Sequence, residues 1–252
     1  MKLKLMTYNI AATRDFGKGT GKPFEYSVEK YAETIKEQAP DICGLNEVDY
    51  MLVRSGRIKT TQVLGDLIGY ENAFAPAVTW LYGGKPGNYG NGFLSKHHIK
   101  NVRICPIPDP PTRDEDVYYE TRVILNALVD FNGVDVDVFV SHFGLAKAER
   151  ANAVKIMAEL IKDSEHPVIV MGDFNAQPND PVLDPIRELL SDTFDVYPDQ
   201  NAITFPTNPE FGPDQKIDYI FVSKEFKTES VEIINKQLSD HRAYVANVEL
   251  NV

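Results

Sequence analysis

The sequence has 252 residues, of which 43% are hydrophobic and 25% are charged, and its formal net charge is −11 at pH 7. The length suits two small domains or one large domain, and the hydrophobic content excludes wholesale disorder. The acidic balance disfavours a protein whose main task is to grip a long polyanion, although it is compatible with a local basic patch.

The cysteines and the first residues bear on compartment and class. Cys43 and Cys105 have no spacing typical of zinc or of a disulfide framework, and Cys43, inside an apolar run, is predicted to be a buried small hydrophobe. The stretch "MKLKLMTYNIAATRD" lacks an apolar segment long enough for a signal peptide, and no run approaches the ~20 apolar residues of a membrane span. No linker or repeat divides residues 1–252. We therefore expect one cytoplasmic domain, a monomer without stable membrane insertion.

The first part of the chain mixes strand and helix patterns. "LKLMTYNI" predicts a core strand, "YSVEKYAETIKEQAP" a helix ended by Pro40, and "DICGLNEV" a second strand. "TTQVLGDLIGY" predicts a short helix and "NAFAPAV" another strand. A glycine-rich loop, "LYGGKPGNYGNG", then leads into "GFLSKHHIKNVRICPI", which predicts one or two strands. The apolar face of the first helix is predicted to comprise Val28, Tyr31, Ala32, Ile35 and Ala39.

The second part contains the clearest local signal. In "RVILNALVDFNGVDVDVFVSH", the pair Asn132-Gly133 joins two strand patterns and predicts a tight hairpin. "AERANAVKIMAELIKD" predicts an amphipathic helix and "PVIVMGD" a strand. "VLDPIRELL" predicts a short helix, "KIDYIFVS" a strand and "AYVANVEL" a closing strand. Strands outnumber helices and several form hairpins, which favours two packed sheets with helices on their outer faces over a doubly wound parallel sheet.

Polar residues recur where the predicted strands end. Alone, each has an ordinary interpretation as a turn former, a solvated end or a structural histidine. Asp218 is harder to dismiss, because a carboxylate inside an apolar strand needs a partner. Together, carboxylates, amides and imidazoles suit one hard divalent cation and one phosphate, and the spacing typical of zinc ligands is absent. The set comprises Asn9, Glu47, His142, Asp173, Asn175, Asp218, Asp240 and His241.

Seven segments in this order closely resemble the endonuclease/exonuclease/phosphatase superfamily, which includes deoxyribonuclease I, the AP endonucleases, neutral sphingomyelinases and inositol polyphosphate 5-phosphatases. They are "TYNI", "LNEVD", "GNGFLSK", "VSHFGL", "GDFNAQP", "KIDYIFVS" and "SDHRAYVANVEL". The resemblance extends from Asn9 to Leu250 and is similar to that of bacterial members of unassigned substrate. It implies a four-layer α/β/β/α sandwich of two mostly antiparallel sheets, and hydrolysis of phosphoesters.

The resemblance also implies a role for each polar residue. Glu47 is then the principal Mg²⁺ ligand, with Asn9 and Asp240 completing the metal and phosphate shell, and Mn²⁺ is a possible substitute. Asp173 is expected to orient or deprotonate the attacking water and Asn175 to hydrogen-bond the phosphoryl oxygens.

By the same resemblance, His241 contacts the scissile phosphate, and Asp218 fixes its tautomer and favours the imidazolium. His142 is expected to be a second phosphate contact or a proton donor to the leaving oxygen. Arg122 lies where members carry an arginine near the phosphate, but an ion pair with Glu120 is an alternative.

The segments that would choose the substrate are less informative. Lys18 and Lys22 either reach into the site or belong to a solvated loop. The segment with Arg54, Arg57 and Lys59 either binds a second phosphate or caps a helix. Aromatic residues of the glycine-rich loop either stack on a base, a sugar or a lipid headgroup or pack against their own strands. These are Trp80, Tyr82 and Tyr89.

The adjacent His97 and His98 would face opposite sides of a strand, so we interpret them as surface residues and not as a shared metal site.

Three functions remain. A Mg²⁺-dependent phosphodiesterase for a small-molecule or lipid-derived phosphoester is favoured by the acidic balance. A nuclease acting on DNA or RNA is the alternative, and it would require a basic surface leading to Asp173. A catalytically inactive binding protein on the same fold is the least favoured, because none of the expected site residues is missing.

Overall fold

Two six-stranded sheets lie face to face in the computed structural model, which describes residues 1–18, 23–197, 199 and 202–251. The strand order is β11-β12-β1-β2-β4-β3 in the first sheet and β5-β6-β7-β8-β10-β9 in the second. The strands are β1 (Lys2–Asn9), β2 (Ile42–Tyr50), β3 (Glu71–Tyr82), β4 (Lys85–Ser95), β5 (His98–Pro106), β6 (Val123–Phe131), β7 (Val134–His142), β8 (Val168–Asp173), β9 (Ser191–Asp192), β10 (Asp218–Val222), β11 (Phe226–Ile234) and β12 (Ala243–Leu250). The helices are α1 (Val28–Gln38), α2 (Thr60–Ile68), α3 (Lys147–Asp163) and α4 (Asp184–Arg187).

Each sheet contains one parallel pair near its centre, β1 with β2 and β7 with β8, and its other pairs are antiparallel. Side chains alternate along these strands. In β1, Leu5 packs between the two sheets, whereas Met6 packs outward with Tyr31 of α1. In the second sheet, Val170 packs outward with Met157 of α3. The predicted four-layer α/β/β/α sandwich is confirmed.

Most predicted elements are present, with three corrections. The prediction of a glycine-rich loop is wrong, because residues 81–92 belong to the long β3–β4 hairpin, in which Tyr82 pairs with Lys85. "VLDPIRELL" is a 3₁₀ turn followed by the short α4, not one helix. Ala39 is exposed in a left-handed C-cap conformation and does not extend the apolar face of α1. The edge strand β11 was not predicted.

Two side-chain predictions are tested by burial. Cys43 is fully buried, as expected, and is a free thiol. His98 is exposed as predicted, but His97 is half-buried, lying against Phe131 with its Nε2 3.3 Å from Asp41. The two imidazoles have different partners, because His98 faces Glu71. Among the described helices, none combines the length and the apolar character that crossing a bilayer requires.

Candidate active site

The predicted polar residues meet at one edge of the sandwich, and the strand directions explain why. Parallel strands end at the same edge, so β1 and β2 place Asn9 beside Asn46, and β7 and β8 place His142 beside Asp173. The antiparallel β10 begins at that edge, where Asp218 pairs with Asp173. Asn9 Nδ2 donates to Asp173 Oδ2 over 3.1 Å, which joins the two sheets across the site.

Local backbone conformation aims three of these side chains. Glu47 has φ +55° within a β-bulge between Leu45 and Val48, and this departure from the strand alternation turns its carboxylate toward Asn9. Gly172 has φ +144°, and a Cβ there would lie 1.8 Å from Ser141 O. Glycine therefore permits the close approach of β7 and β8 that pairs His142 with Asp173.

The segment Asp173-Phe174-Asn175 holds two polar side chains on a buried anchor. Phe174 is fully buried in the outer core and stacks on Phe143 with ring centroids 4.2 Å apart. Asn175 has φ +49°, and its N–H donates to Asp173 Oδ1 over 3.1 Å. The strand can therefore present a carboxylate and an amide side by side on a rigid mount.

Asp218 and His241 form a buried pair. His241 Nδ1 lies 2.9 Å from Asp218 Oδ2, and its Nε2 lies 3.5 Å from Asp173 Oδ2. Burial lowers the pKa of His241, but the anions Asp218 and Asp173 outweigh this effect and raise the pKa to about 10. At neutral pH His241 is thus an imidazolium whose Nε2–H points toward Asp173.

Asp173 is the central carboxylate of the site. It is 2% exposed, and burial raises its pKa to about 7, while the His241 cation opposes that rise. Its Oδ2 accepts a hydrogen bond from Asn9 Nδ2 and lies 3.4 Å from His142 Nε2. A carboxyl group with a pKa near neutrality is suited to accept a proton from water.

His142 is held in one tautomer by Arg122. Arg122 Nη1 donates to His142 Nδ1 over 3.1 Å and also lies 3.0 Å from Glu120 Oε1. Arginine always donates, so the neutral ring carries its hydrogen on Nε2, facing the site. Burial, Arg122 and His241 together hold the pKa of His142 well below its usual value. His142 is therefore a neutral hydrogen-bond donor. Arg122 forms the ion pair with Glu120 that was one of its two alternatives, and its place near a bound phosphate stays a prediction.

Glu47 and Asp240 form the cation-deficient side of the site. Both are half-buried, and burial and the nearby Asp240 charge raise the pKa of Glu47. Glu47 Oε1 receives one hydrogen bond, from Asn9 Nδ2 over 3.3 Å, and Asp240 Oδ1 lies 3.1 Å from the Ser239 hydroxyl, which donates its hydrogen to Asn9 O. Two carboxylates in mutual repulsion, with oxygen atoms to spare, fit a divalent cation.

Asn9 differs from the other expected ligands. Its Oδ1 accepts a hydrogen bond from Ala11 N over 3.1 Å, so its amide nitrogen, not its oxygen, faces Glu47 and Asp173. In this orientation Asn9 is a donor that bridges the carboxylates.

A second acidic and histidine cluster contains Asp173, Asp218 and His241, whose potential ligand atoms lie within 4.8 Å of one another. Each ring nitrogen of His241 already faces a carboxylate, and the resulting imidazolium opposes a second cation. We therefore interpret this cluster as a proton and charge relay, and Glu47 with Asp240 as the metal-binding side.

Two amide side chains beneath the site, Asn46 and Asn91, were not predicted as site residues. Asp173 N donates to Asn46 Oδ1 over 2.9 Å, Asn46 Nδ2 donates to Asn91 Oδ1 over 2.9 Å, and Asn91 Nδ2 donates to Val123 O over 2.9 Å. This amide bridge links the two sheets, and its members Asn46 and Val123 are the chain neighbours of Glu47 and Arg122. The signal available was an asparagine inside each of two apolar strand patterns, "LNEV" and "GNGF".

Ser239 is another missed residue. It is fully buried and donates to Asn9 O over 2.7 Å, and it accepts from His241 N over 3.2 Å. It thereby ties the end of β1 to the turn that carries Asp240 and His241.

Two of the candidate substrate-binding cations, Lys18 and Arg54, have acidic partners. Lys18 pairs with Glu25, and Lys22 lies outside the described residues. Arg54 binds both oxygens of Asp49, at 2.8 and 2.7 Å, so its charge is already compensated.

Comparisons with known proteins agree with this geometry. The model of the Endonuclease/Exonuclease/phosphatase family matches residues 6–241. An endonuclease/exonuclease/phosphatase from Beutenbergia cavernae superposes with a TM-score of 0.80 at 23% identity, covering 99% of this chain and 72% of the other. The Bacteroides thetaiotaomicron mannosyl-6-phosphatase superposes with a TM-score of 0.73 at 18% identity, covering 98% of this chain and 100% of the other. The human Nocturnin catalytic domain with bound sulfate superposes at 0.70 and 18% identity, covering 99% and 95%. A search of curated proteins finds no match.

Proposed function

The chain belongs to the endonuclease/exonuclease/phosphatase family, whose members are phosphoester hydrolases, and from that premise we propose that it is a Mg²⁺-dependent phosphodiesterase for a small-molecule or lipid-derived phosphoester. One observation carries the proposal. The buried relay Asp218–His241–Asp173 lies beside two carboxylates, Glu47 and Asp240, that form no ion pair with any described residue.

The metal assignment follows from the donor atoms. Glu47 and Asp240 would hold the ion through carboxylate oxygens, which Mg²⁺ prefers and Mn²⁺ accepts, whereas sulfur or paired imidazole ligands suited to Zn²⁺ are absent from this side of the described site. When bound, the cation would act as a Lewis acid that stabilises the negative charge developing on the phosphoryl group.

The remaining residues share the proton and charge transfers. Asp173 Oδ2 accepts the proton of the attacking water, because burial has raised its pKa toward neutrality. His241 donates from Nε2 to a phosphoryl oxygen while Asp218 stabilises the imidazolium. Neutral His142 would donate from Nε2 to the phosphoryl oxygens, and Asn175, whose Nδ2 donates to Phe143 O and lies 3.1 Å from His142 Nε2, would turn a second amide hydrogen to the same oxygens.

Arg122 acts on substrate through His142, since its Nη1 is committed to that ring and to Glu120. No covalent enzyme intermediate is required, because water is the nucleophile and the phosphoryl group is transferred directly to it.

The substrate class rests on charge. A net charge of −11 disfavours extended nucleic acid, and two of the candidate substrate-binding cations, Arg54 and Lys18, are paired with acidic residues. The neighbours with sulfate and with mannosyl-6-phosphatase activity support recognition of a tetrahedral anion by this fold.

The test compares bis-p-nitrophenyl phosphate, p-nitrophenyl phosphate and plasmid DNA, each with Mg²⁺, Mn²⁺ or EDTA. We expect cleavage of the diester with either metal, abolished by EDTA and by Asp173→Asn. Monoester cleavage alone would replace the proposal with a phosphomonoesterase. Plasmid cleavage that falls steeply with salt would replace it with a nuclease.

A further inference from the structure

The β3–β4 hairpin extends beyond the end of β2 at the active-site edge. Tyr50, the last residue of β2, pairs with Asn88, while the hairpin continues to the pair Tyr82–Lys85. At about 3.3 Å per residue, its turn lies roughly 20 Å along the strand from the position of Glu47. We call residues 51–59 and 79–88, which pack together here, the crest.

The crest exposes apolar side chains that the fold does not require. Leu81 is 73% exposed, Tyr82 64% and Val53 41%, and these residues line a shallow cavity of about 420 Å³ together with Leu52, Arg54 and Trp80. Exposed apolar groups on one projecting hairpin indicate a surface that another apolar phase covers.

The base of the crest is rigid. Trp80 stacks on Tyr89 with centroids 5.2 Å apart, and the Arg54 guanidinium lies 5.0 Å from the Trp80 ring while bound to Asp49. The apolar tip is therefore carried on a fixed support, and little conformational entropy is lost when it is covered.

The crest is also basic within an acidic protein. Residues 51–59 and 79–88 contain Arg54, Arg57, Lys59 and Lys85 and no Asp or Glu. Asp49 compensates Arg54, which leaves three cations on this surface without an ion pair in the described part of the chain. The complementary partner is anionic as well as apolar.

We propose that the crest docks on an anionic phospholipid surface and so brings the active-site edge to the lipid. Aromatic and aliphatic side chains flanked by Lys and Arg are suited to the headgroup boundary. Single-stranded nucleic acid fits less well, because Trp80 is already stacked and the most exposed of the large apolar side chains is the aliphatic Leu81. The inference rests on the proposed function for its lipid-derived substrate, but docking is measurable without turnover.

Trp80 is the only tryptophan of the chain, so its emission reports on the crest directly. The full-length protein, in EDTA, is mixed with phosphatidylcholine vesicles that contain no phosphatidylserine or about 30% of it. We expect cosedimentation and a blue shift of Trp80 emission with the anionic vesicles, both weakened by salt.

Matched double variants locate the contact. Leu81→Ser with Tyr82→Ser should lower vesicle affinity about tenfold or more, because the apolar contact is lost. Val102→Ser with Ile104→Ser, at exposed positions of β5, should leave affinity unchanged. Arg57→Gln with Lys85→Gln should remove the preference for anionic vesicles.

Absence of vesicle binding by the unaltered protein, or equal losses in the two apolar variants, would overturn the proposal. A Trp80 shift with a single-stranded oligonucleotide and not with vesicles would overturn it in favour of nucleic acid. Hydrolysis of bis-p-nitrophenyl phosphate with Mg²⁺ separates the two claims. Activity without vesicle binding refutes docking alone, and vesicle binding without hydrolysis of any phosphoester refutes the proposed function alone.

Discussion

Both ends of the sandwich carry charged side chains, but the burial and the partners of these side chains differ between the two ends. At the end opposite the site, Asp41 precedes β2 and is half-buried beside His97, Lys96 and the backbone N–H of Lys4, so its charge is met by donors and by water. At the active-site end, Asp173 is almost fully buried. The presence of a carboxylate alone therefore does not distinguish the two ends of the sandwich.

What distinguishes them is compensation. The carboxylates Glu47, Asp173, Asp218 and Asp240 converge around one cationic imidazole, His241. Such an excess of buried negative charge opposes folding unless a ligand offsets it. A functional site is therefore indicated by buried charge that the chain itself leaves uncompensated.

The largest expected effect comes from exchanging one carboxylate at each end. Asp173→Asn should lower kcat/KM about a thousandfold, because the amide cannot accept the proton of water. Asp41→Asn, the matched change at the opposite end, should leave kcat/KM within about twofold and change stability by less than about 1 kcal/mol. Steady-state hydrolysis of the diester measures both. If Asp173→Asn kept a tenth of the activity, Asp173 would not be the group that accepts the proton of water.

A second contrast uses glycine at each end. Gly172→Ala should destabilise the fold by about 3 kcal/mol or more, because the new methyl group would meet Ser141 O and the backbone would remain at positive φ. Gly133→Ala, in the far-end hairpin turn, also has positive φ but meets no atom within 4 Å, so about 1 kcal/mol is expected. Urea denaturation compares them, and equal losses would show that the close approach of β7 and β8 is not needed.

The pH dependence should be bell-shaped. Activity should appear as Asp173 loses its proton near pH 7 and disappear as His241 loses its proton near pH 10. Asp218→Asn removes an anion that raises the pKa of His241, so the alkaline limb should move down by about one unit or more. An unmoved alkaline limb in kcat/KM profiles would assign that limb to a group other than His241.

The smallest effect is expected from the amide bridge. Asn91→Ala leaves the Asn46 amide without its acceptor, which should lower kcat about tenfold with little change in KM, because Asp173 is less well positioned. Asn247→Ala, whose exposed amide binds Ser230, is the control and should keep full activity. A change in KM alone would point to substrate contact in place of positioning.

The sequence predicted the layers and most of the site because both depend on local patterns. Strand alternation and the Asn132-Gly133 turn fixed which segments are strands, and a polar residue at each strand end marked the edge. The orientation of Asn9 was not predictable, since it depends on a hydrogen bond from Ala11.

The same holds for Asn46 and Asn91, which meet only when β2 and β4 pair. The glycine-rich hairpin was mistaken for a loop because its glycines mask a regular register with β3. Each of these features depends on which strands pair, and a short stretch of sequence does not show that pairing.

The order of the site along the chain has a consequence for synthesis. Asn9 and His241 are 232 positions apart yet meet at 3.5 Å, and β12 lies between β1 and β11 in the finished sheet. A nascent chain on the ribosome that ends before residue 241 contains Asn9 but not His241. We therefore expect hydrolytic activity only after these longest-range contacts, which are the slowest to form, have closed.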